Sequence, residues 1–369
     1  MNKSVRVLYV MDGKMSRGGT EAFIMNYFRH IDHQKVQIDI VQCGDEKGIY
    51  DEELKEAGCK LYYLPLKGKH PIAFSKSLKS ICQKGKYQII HGMMDTMNVW
   101  CLKIARSAGV SVCVAHSHNT RVQSDNKLQI AFNNWAKKGI LKFSDHLMAC
   151  SEAAGKWLFG ENAEFTVVKN GVDYDLFKFD ENKRKYYREQ YQIEDKLVVG
   201  HVGQFRDQKN HMYLIDVFNE MHKLDERCYL VLIGTGPLLK AVESKISQLG
   251  LGSCVKIING SDKVNELLNM FDCYLFPSKF EGLSIALVEA EVNGLKCYTS
   301  TSVSRESNVL KKVEFYDLSQ PPKTWAENIL KEQDSFKDRA INKSDLEKTG
   351  YDIESAAKKL EDFYIDAVK

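Results

Sequence analysis

The chain has 369 residues, of which 44% are hydrophobic and 27% charged, and its formal net charge at pH 7 is only +3. This length exceeds what one hydrophobic core usually serves and favours two domains of ordinary size. No uninterrupted apolar stretch approaches the roughly 20 residues that a spanning helix needs, which excludes a chain that crosses a membrane.

The N-terminal apolar run at residues 7–11 breaks at Asp12-Gly13. That break comes too soon for a signal peptide, so the run is predicted to be a strand. The ten cysteines lie far apart, and no C-x-x-C pair is present for zinc or redox chemistry. We therefore expect buried thiols in a cytoplasmic, reducing environment.

Short apolar runs rich in Val, Ile and Tyr alternate with longer segments of helical period along the chain. This pattern predicts an α/β protein with parallel sheets covered by helices. In the first half, the predicted strands are 5–11, 36–43, 60–64, 87–91, 111–116, 146–150 and 165–169, and the predicted helices include 21–30 and 98–107.

A polar and aromatic stretch at 173–196 predicts a linker, after which the alternation restarts with a smaller sheet. The predicted strands there are 197–202, 228–233, 255–258, 273–276 and 296–299, with helices at about 211–223, 238–249, 264–270 and 283–293. We divide the chain into domains of 1–172 and 197–350, joined by that linker, and a final helix of 351–369 that packs back across the domains. Ligands bind beyond the carboxyl ends of parallel strands, so two facing domains of this kind would enclose a cleft.

Two carboxylates follow the predicted strand 273–276, Glu281 and, eight positions later, Glu289. Between them, Gly282, Leu283 and Ser284 are predicted to open a helix, whose free N–H groups and positive dipole end favour a phosphate. Glu281 can accept hydrogen bonds from sugar hydroxyls, and Glu289 can reach ribose hydroxyls. By spacing alone, a purely structural Glu281 and a solvated Glu289 are equally good interpretations.

The order strand, Pro-Ser-x-x-Glu-Gly-Leu, second glutamate and Asn-Gly resembles the signature of family 4 retaining glycosyltransferases of the GT-B fold. The resemblance extends from Val5 to the tail and is strongest over 199–294. It implies two facing Rossmann-like domains and transfer of a sugar from a nucleotide donor without a metal or other cofactor. The family's two glutamates contact the donor sugar and the nucleotide ribose, which assigns these contacts to Glu281 and Glu289.

The segment after the predicted strand 197–202 resembles the family's Gly-Arg-Phe-x-x-x-Lys loop. Lys209 matches the family lysine and can neutralise charge that develops on a leaving diphosphate. Gln204 stands where the family usually has a phosphate-contacting arginine, and Arg206 is the candidate replacement. Gly260 and Val264 match the family's base-pocket region.

In the first half, Gly18-Gly19 resembles the family's Gly-Gly-x-Glu loop, which closes over the donor phosphate and borders the acceptor. The family also places an active-site histidine near the reacting carbon, after the fifth predicted strand. His116 is the first choice for this role and His118 the second, with His118 and Asn119 assigned to the acceptor side. A lone histidine is more often structural, and this alternative stays open.

Residues 57–94 contain seven lysines and no acidic residue, interleaved with aromatic and aliphatic side chains. Each basic residue near an anionic leaflet contributes on the order of 1 kcal/mol, so contact with a membrane is predicted for Lys67 to Lys86. A second acid-free stretch with Lys127, Phe132 and Trp135 has the same character. A solvated helix face is an equally good interpretation of both.

Within family 4, residues 201–211 and 115–120 are most similar to bacterial exopolysaccharide and capsule enzymes. The sequence thus predicts a retaining hexosyltransferase that uses a nucleotide-sugar donor, a UDP-sugar by preference, and a glycan or lipid-linked acceptor at the inner face of the cytoplasmic membrane. The alternatives are a nucleotide-sugar epimerase of the same fold and a non-catalytic partner subunit of a glycan-assembly complex, which Gln204 suggests. A membrane or nucleic-acid binding module is a third, and no recognised nucleic-acid motif accompanies the lysines.

Overall fold

A computed structural model of the chain describes residues 4–16, 18–119 and 127–369, the side chains of 127–132 excepted. The chain forms two compact units. The first comprises residues up to Gly171 together with Ile353–Lys369, and the second comprises Val172–Asp352. Each unit is built around a parallel sheet whose strands alternate with helices, as the sequence predicts.

The described part of the first unit contains a seven-stranded parallel sheet. Its elements before the second unit are β1 (Val5–Met11), α1 (Gly19–His30), β2 (Val36–Cys43), α2 (Asp51–Glu56), β3 (Leu61–Leu64), α3 (Pro71–Gly85), β4 (Ile89–Met93), α4 (Asn98–Ser107), β5 (Val112–Ser117), α5 (Lys127–Phe143), β6 (His146–Ala149), α6 (Glu152–Phe159) and β7 (Thr166–Val167). The strand order is β3-β2-β1-β4-β5-β6-β7. Successive side chains of β1 enter separate cores on opposite faces of the sheet, because strand residues alternate in direction.

The second unit has a six-stranded parallel sheet. Its elements are α7 (Tyr174–Phe177), α8 (Glu181–Tyr191), β8 (Leu197–Val202), α9 (His211–Leu224), β9 (Cys228–Ile233), α10 (Leu239–Gln248), β10 (Val255–Ile258), α11 (Val264–Leu267), β11 (Cys273–Phe276), α12 (Ile285–Val292), β12 (Lys296–Ser300), β13 (Val313–Tyr316), α13 (Pro322–Lys331) and α14 (Lys343–Thr349). The strand order is β10-β9-β8-β11-β12-β13.

Each sheet reverses its winding once, between β1 and β4 in the first unit and between β8 and β11 in the second. The connections that follow the two strands at such a switch point leave in opposite directions. A crevice therefore forms at the carboxyl ends of these strands, and this is where open α/β sheets bind their ligands.

The stretch 173–196, predicted as a linker, instead lies inside the second unit. Tyr187 of α8 and the following Ile193 are buried in the core of that unit. Arg188 donates to Asp272 Oδ2 over 2.5 Å, which ties α8 to the start of β11. The polar composition of the stretch reflects its exposed helix face, while the few buried side chains fix its position.

A final helix, α15 (Ile353–Asp366), belongs to the first unit. Its side chains Ile353, Leu360 and Tyr364 are buried in the core formed with α1, β1 and β2. The last helix therefore packs on the sheet of the first unit and forms part of its core.

Two edge strands differ most from the sequence prediction. The edge strand β13 was not expected, because only Val313 of its four residues is buried and no continuous apolar run marks it. β7 is reduced to Thr166–Val167, and it too ends its sheet. Edge strands have fewer neighbours to bury them, so their sequence pattern is weak.

All ten cysteines are free and buried, and among the described residues no helix has the length and apolar character of a membrane span.

Replacing Leu360 by Ala should lower the free energy of unfolding by about 2–5 kcal/mol, because the substitution leaves a cavity beneath α15. Urea unfolding followed by circular dichroism measures the change. The matched variant Lys359→Ala alters the exposed neighbouring position and should unfold within about 0.5 kcal/mol of the wild type. Equal stabilities of the two variants would contradict the packing of this helix.

Candidate active site

A lysine and a glutamate meet at the switch point of the second sheet. Lys209 ends a 3₁₀ turn (Asp207–Lys209) after β8, and Glu281 lies in the connection after β11. Lys209 Nζ donates to Glu281 Oε1 over 2.6 Å, with 18% and 12% of the two side chains exposed. The same Nζ lies 4.5 Å from the centroid of the Phe276 ring. The cation is thus held in one place and largely shielded from solvent, where its charge is weakly screened.

Polar contacts join the two connections on either side of this ion pair. The Lys279 N–H donates to Gln208 O over 2.8 Å, and Gln208 Nε2 donates to Phe280 O over 3.1 Å. Asn210 Nδ2 donates to Pro277 O over 3.1 Å. Backbone positions around Lys209 and Glu281 are therefore fixed before any ligand arrives.

Glycines after β9 allow a second close approach of backbone at this edge. A Cβ atom at Gly234 would lie 2.0 Å from Gly203 O, and one at Gly236 would lie 2.6 Å from Phe205 O. The Phe205 N–H donates to Thr235 O over 2.9 Å. Packing of the backbone alone explains why this turn contains glycines.

The helix start predicted at Gly282 to Ser284 lies further along the chain. α12 begins at Ile285 with Ser284 as its N-cap, so Gly282 and Leu283 precede the helix. The Ser284 N–H donates to Ser307 Oγ over 3.2 Å and is not available to a phosphate. The reason is that the chain at Glu281 runs beside Val303 in a β-bridge before it turns into the helix.

Three other predicted donor-side residues lie at the carboxyl edge of this sheet, one before the turn that carries Lys209 and two after the edge strand β10. Arg206 is exposed, and its side chain makes no hydrogen bond or ion pair with the described residues. Gly260 follows the edge strand β10 and has φ +67°, and Val264 is the first residue of α11. β10 lies two strands away from β8, so the structure separates these two positions from Lys209.

Histidines collect at the carboxyl end of β5 in the first unit. His116 is fully buried on the strand, and the partly exposed His118 stacks on it with ring centroids 4.2 Å apart. His116 Nδ1 lies 2.9 Å from His91 Nε2 on the neighbouring strand β4. Burial lowers the pKa of His91 and of His118 to about 3 and that of His116 well below its ordinary value. All three rings are therefore neutral at physiological pH.

Asp95, which sequence reasoning missed, supports the predicted acceptor-side residues. Its carboxylate accepts hydrogen bonds from the His118 N–H at 2.9 Å and from Asn119 Nδ2 at 2.5 Å. Its φ of +46° is unusual for a residue other than glycine and costs free energy of order 1–3 kcal/mol. A lone aspartate after an apolar strand is a weak signal, and only the pairing of β4 with β5 brings it to this loop.

The glycine pair lies at the start of α1. Gly18 is the N-cap and Gly19 the first helical residue. A Cβ atom at Gly18 would lie 2.3 Å from Glu21 Oε2, whereas one at Gly19 would have no atom of the described residues within 4 Å. The atom near Gly18 is the end of a flexible side chain that can move, so packing among the described residues requires glycine at neither position.

Comparison with known proteins places this geometry in a family. Residues 17–176 match the family model described as Glycosyltransferase Family 4, and residues 183–316 match the one described as Glycosyl transferases group 1. A Bacillus subtilis protein named glycosyltransferase EpsF is 34% identical over 368 residues, which cover 96% of this chain and 95% of that protein. The chain belongs to glycosyltransferase family 4. The predicted family is confirmed.

Two further likenesses support the family and the fold. The capsular polysaccharide biosynthesis glycosyltransferase CapH of Staphylococcus aureus is 24% identical over 368 residues, covering 98% of this chain and 99% of that protein. The crystal structure of Anabaena HepE in complex with UDP and glucose superposes with a TM-score of 0.76 at 16% identity, covering 96% of this chain and 98% of that chain. The glycosyltransferase thus has the GT-B fold of two Rossmann-like units, as predicted.

The basic segment predicted to contact a membrane is only partly available on the surface. Ile72 is 72% exposed at the start of α3, whereas Phe74 is buried in the core. Lys67 Nζ lies 2.6 Å from Asp12 Oδ2, so its charge is already paired. In the second basic stretch, Trp135 is exposed, and the side chains of Lys127 and Phe132 lie outside the described residues.

Metal independence stays a prediction. Across residues 4–16, 18–119 and 127–369, no group of three or more His, Cys, Asp or Glu side chains is arranged to hold a metal ion.

Glu289 lies on α12, one residue beyond the buried Val288. Its carboxylate accepts no hydrogen bond from the described residues, and burial raises its pKa from 4.5 to about 7. The unfolded chain releases this proton near pH 4.5, whereas the folded chain retains it until about pH 7. Ionisation of Glu289 therefore weakens the fold as the pH rises through this window.

The isosteric variant Glu289→Gln should be more stable than the wild type at pH 8 by about 1–3 kcal/mol, and the difference should disappear at pH 5. Urea unfolding at several pH values measures this dependence. Glu243→Gln, at an exposed position on α10, is the control and should show no such trend. A stability difference that is independent of pH would contradict the raised pKa.

Proposed function

We propose that the chain moves a hexosyl-type sugar from a nucleotide donor, a UDP-sugar, to a glycan or lipid-linked sugar acceptor in exopolysaccharide or capsule biosynthesis. The observation that carries this proposal is the Lys209–Glu281 pair at the switch point of the second sheet. The names of the similar proteins support the pathway, and the UDP bound in HepE supports the nucleotide.

The pair has the chemistry that sugar transfer requires. As the bond between the anomeric carbon and the diphosphate breaks, negative charge grows on the diphosphate. The ammonium of Lys209 would stabilise that charge more strongly in its shielded position than in water. Glu281, which accepts the Lys209 hydrogen bond, has a second carboxylate oxygen for a sugar hydroxyl. Arg206, with its exposed guanidinium, would supplement the charge where Gln204 replaces the family's arginine.

Transfer proceeds with retention and without a metal or other cofactor in this proposal. The acceptor hydroxyl attacks from the face that the diphosphate leaves, through an ion-pair-like transition state, because no carboxylate is assigned as a covalent nucleophile. Glu289 contacts the ribose, and Gly260 and Val264 border the base. Gly282 and Leu283 border the donor phosphate, whereas the Ser284 N–H stays bound to Ser307 Oγ. His116, His118 and Asn119 belong to the sugar and acceptor side.

The enzyme would work in the cytoplasm at the inner face of the membrane, where a lipid-linked acceptor is found. The exposed Ile72 and the three exposed lysines of α3, Lys76, Lys79 and Lys84, support this location, since basic and aliphatic groups together favour an anionic leaflet. Lys67, already paired with Asp12, contributes less.

Thermal unfolding with UDP-, GDP- and dTDP-sugars tests the donor. A ligand at 100 times its dissociation constant stabilises by about 2.7 kcal/mol, so a UDP-sugar should raise the melting temperature by several degrees. Glu281→Ala should lose this shift and Glu243→Ala should keep it.

Lys209→Met should lower kcat by about 10²–10³, whereas Lys279→Met, at an exposed lysine beside it, should not.

Product analysis completes this test. NMR of the glycoside should show the same anomeric configuration as the donor. The rate of sugar transfer should be the same with and without EDTA. A covalent intermediate on any side chain would contradict the front-face route. No shift with any donor would favour the non-catalytic partner subunit instead.

The variant Gly19→Ala tests the glycine loop that the family resemblance assigns to the donor site. Its added methyl group meets no atom within 4 Å in the part of the chain that the structure describes, so stability should be unchanged or slightly higher. If a ligand approaches this backbone closely, donor affinity or kcat should nevertheless fall about tenfold or more. Steady-state kinetics beside a melting curve measures both. Full activity in Gly19→Ala would remove Gly19 from the site.

A further inference from the structure

Four fully buried side chains form a hydrogen-bonded chain through the first unit. Tyr9 Oη on β1 and Tyr364 Oη on α15 are 2.9 Å apart. Tyr364 Oη lies 2.6 Å from His91 Nδ1, and His91 Nε2 lies 2.9 Å from His116 Nδ1. The C-terminal helix is thereby linked to the carboxyl end of β5.

This series of hydrogen-bonded side chains ends at an unpaired atom. His116 Nε2 is buried and has no hydrogen-bonding partner among the described residues. An unpaired buried polar group costs about 1–3 kcal/mol and calls for an explanation. Phe23 of α1 contacts the rings of His116 and His118 edge-on, at centroid distances of 4.9 and 5.0 Å. His118 Nε2, on the ring stacked against His116, is also buried and without a partner among the described residues, while His118 as a whole is partly exposed. Two unpaired nitrogens thus lie together beside a residue that solvent reaches.

Tyr364 decides which nitrogen of His116 carries the proton. Both histidines are neutral, so each ring has one N–H. If Tyr364 donates to His91 Nδ1, then His91 is protonated on Nε2 and donates to His116 Nδ1. His116 must then carry its own proton on Nε2.

The reverse direction leaves more groups unpaired. If Tyr364 donates to Tyr9 instead, the Tyr9 hydroxyl proton has no acceptor among the described residues, and His116 Nε2 becomes an unpaired lone pair. In the first direction, the one unpaired donor is the His116 N–H, at the end of β5, where an oxygen atom of a ligand can accept it. The first direction is therefore favoured.

We propose that Tyr364, acting through His91, holds His116 in the tautomer protonated on Nε2, and that this N–H donates a hydrogen bond to an oxygen atom of the sugar substrate. The inference rests on the proposed function, since it takes His116 as a substrate contact. Tyr364 and His91 are then positioning residues, and the C-terminal helix takes part in the site.

The protein offers a matched pair of variants, Tyr364→Phe and Tyr9→Phe. Each removes one hydroxyl from a fully buried ring of the same hydrogen-bonded chain, so each should have a similar effect on stability. Only Tyr364→Phe removes the donor to His91 Nδ1. In Tyr9→Phe, Tyr364 still donates to His91, so His116 keeps its tautomer.

Long-range ¹H–¹⁵N NMR of histidine-labelled protein reads the tautomer directly, with the His116 signals assigned from the spectrum of His116→Asn. We expect protonation on Nε2 in the wild type and in Tyr9→Phe, and a mixture of tautomers in Tyr364→Phe. The value of kcat/KM should fall about tenfold in Tyr364→Phe, the size expected for one hydrogen bond, and less than twofold in Tyr9→Phe.

A wild-type His116 protonated on Nδ1 would overturn the proposal, as would equal losses of activity in the two variants, which indicate a structural effect alone. A lost tautomer preference with unchanged kcat/KM would overturn the positioning role. If the protein transfers no sugar, the proposed function fails, and the NMR result by itself supports or overturns the control of His116 by Tyr364.

Discussion

The parallel pairing of β8 with β11 is the constraint on which the second unit's site depends. The two strands are separated by two complete strand–helix repeats, yet Val199 pairs with Cys273 and Gly200 with Tyr274. The pairing requires glycine at 200, because a Cβ atom there would lie 1.9 Å from the Phe271 ring. Once it forms, the connections after both strands leave the same edge, and the Lys209 ammonium meets the Glu281 carboxylate.

The two units repeat one topology but place different chemistry at their carboxyl edges. The second unit presents a charged pair that keeps some exposure, which suits it to respond to charge on a ligand. The first unit presents histidines that burial keeps neutral. A neutral imidazole can donate or accept one directed hydrogen bond without adding charge.

The C-terminal helix has a larger role than its position in the chain suggests. Leu360 and Ile353 pack it on the first unit, and Tyr364 brings a hydroxyl into the core beside His91. A buried polar chain of this kind contributes little net stability when complete and costs much when one member is missing. Its value therefore lies in fixing orientation, which in our proposal passes from Tyr364 through His91 to His116.

Sequence alone determined the α/β class, the two-part organisation of the sheets and the strands β1, β2, β8, β9, β10 and β11 at their observed bounds. Most of these strands lie inside a sheet with both faces buried, so their apolar runs are continuous and their ends sharp. It also located Lys209 and Glu281, because both follow such strands. Tertiary structure decided the rest. Three features depend on neighbours distant in sequence: the edge strand β13, the helices within 173–196, and the β-bridge after which α12 begins. The link from Tyr364 to His91 spans 273 positions, and no local pattern records a contact that only strand order and helix packing create.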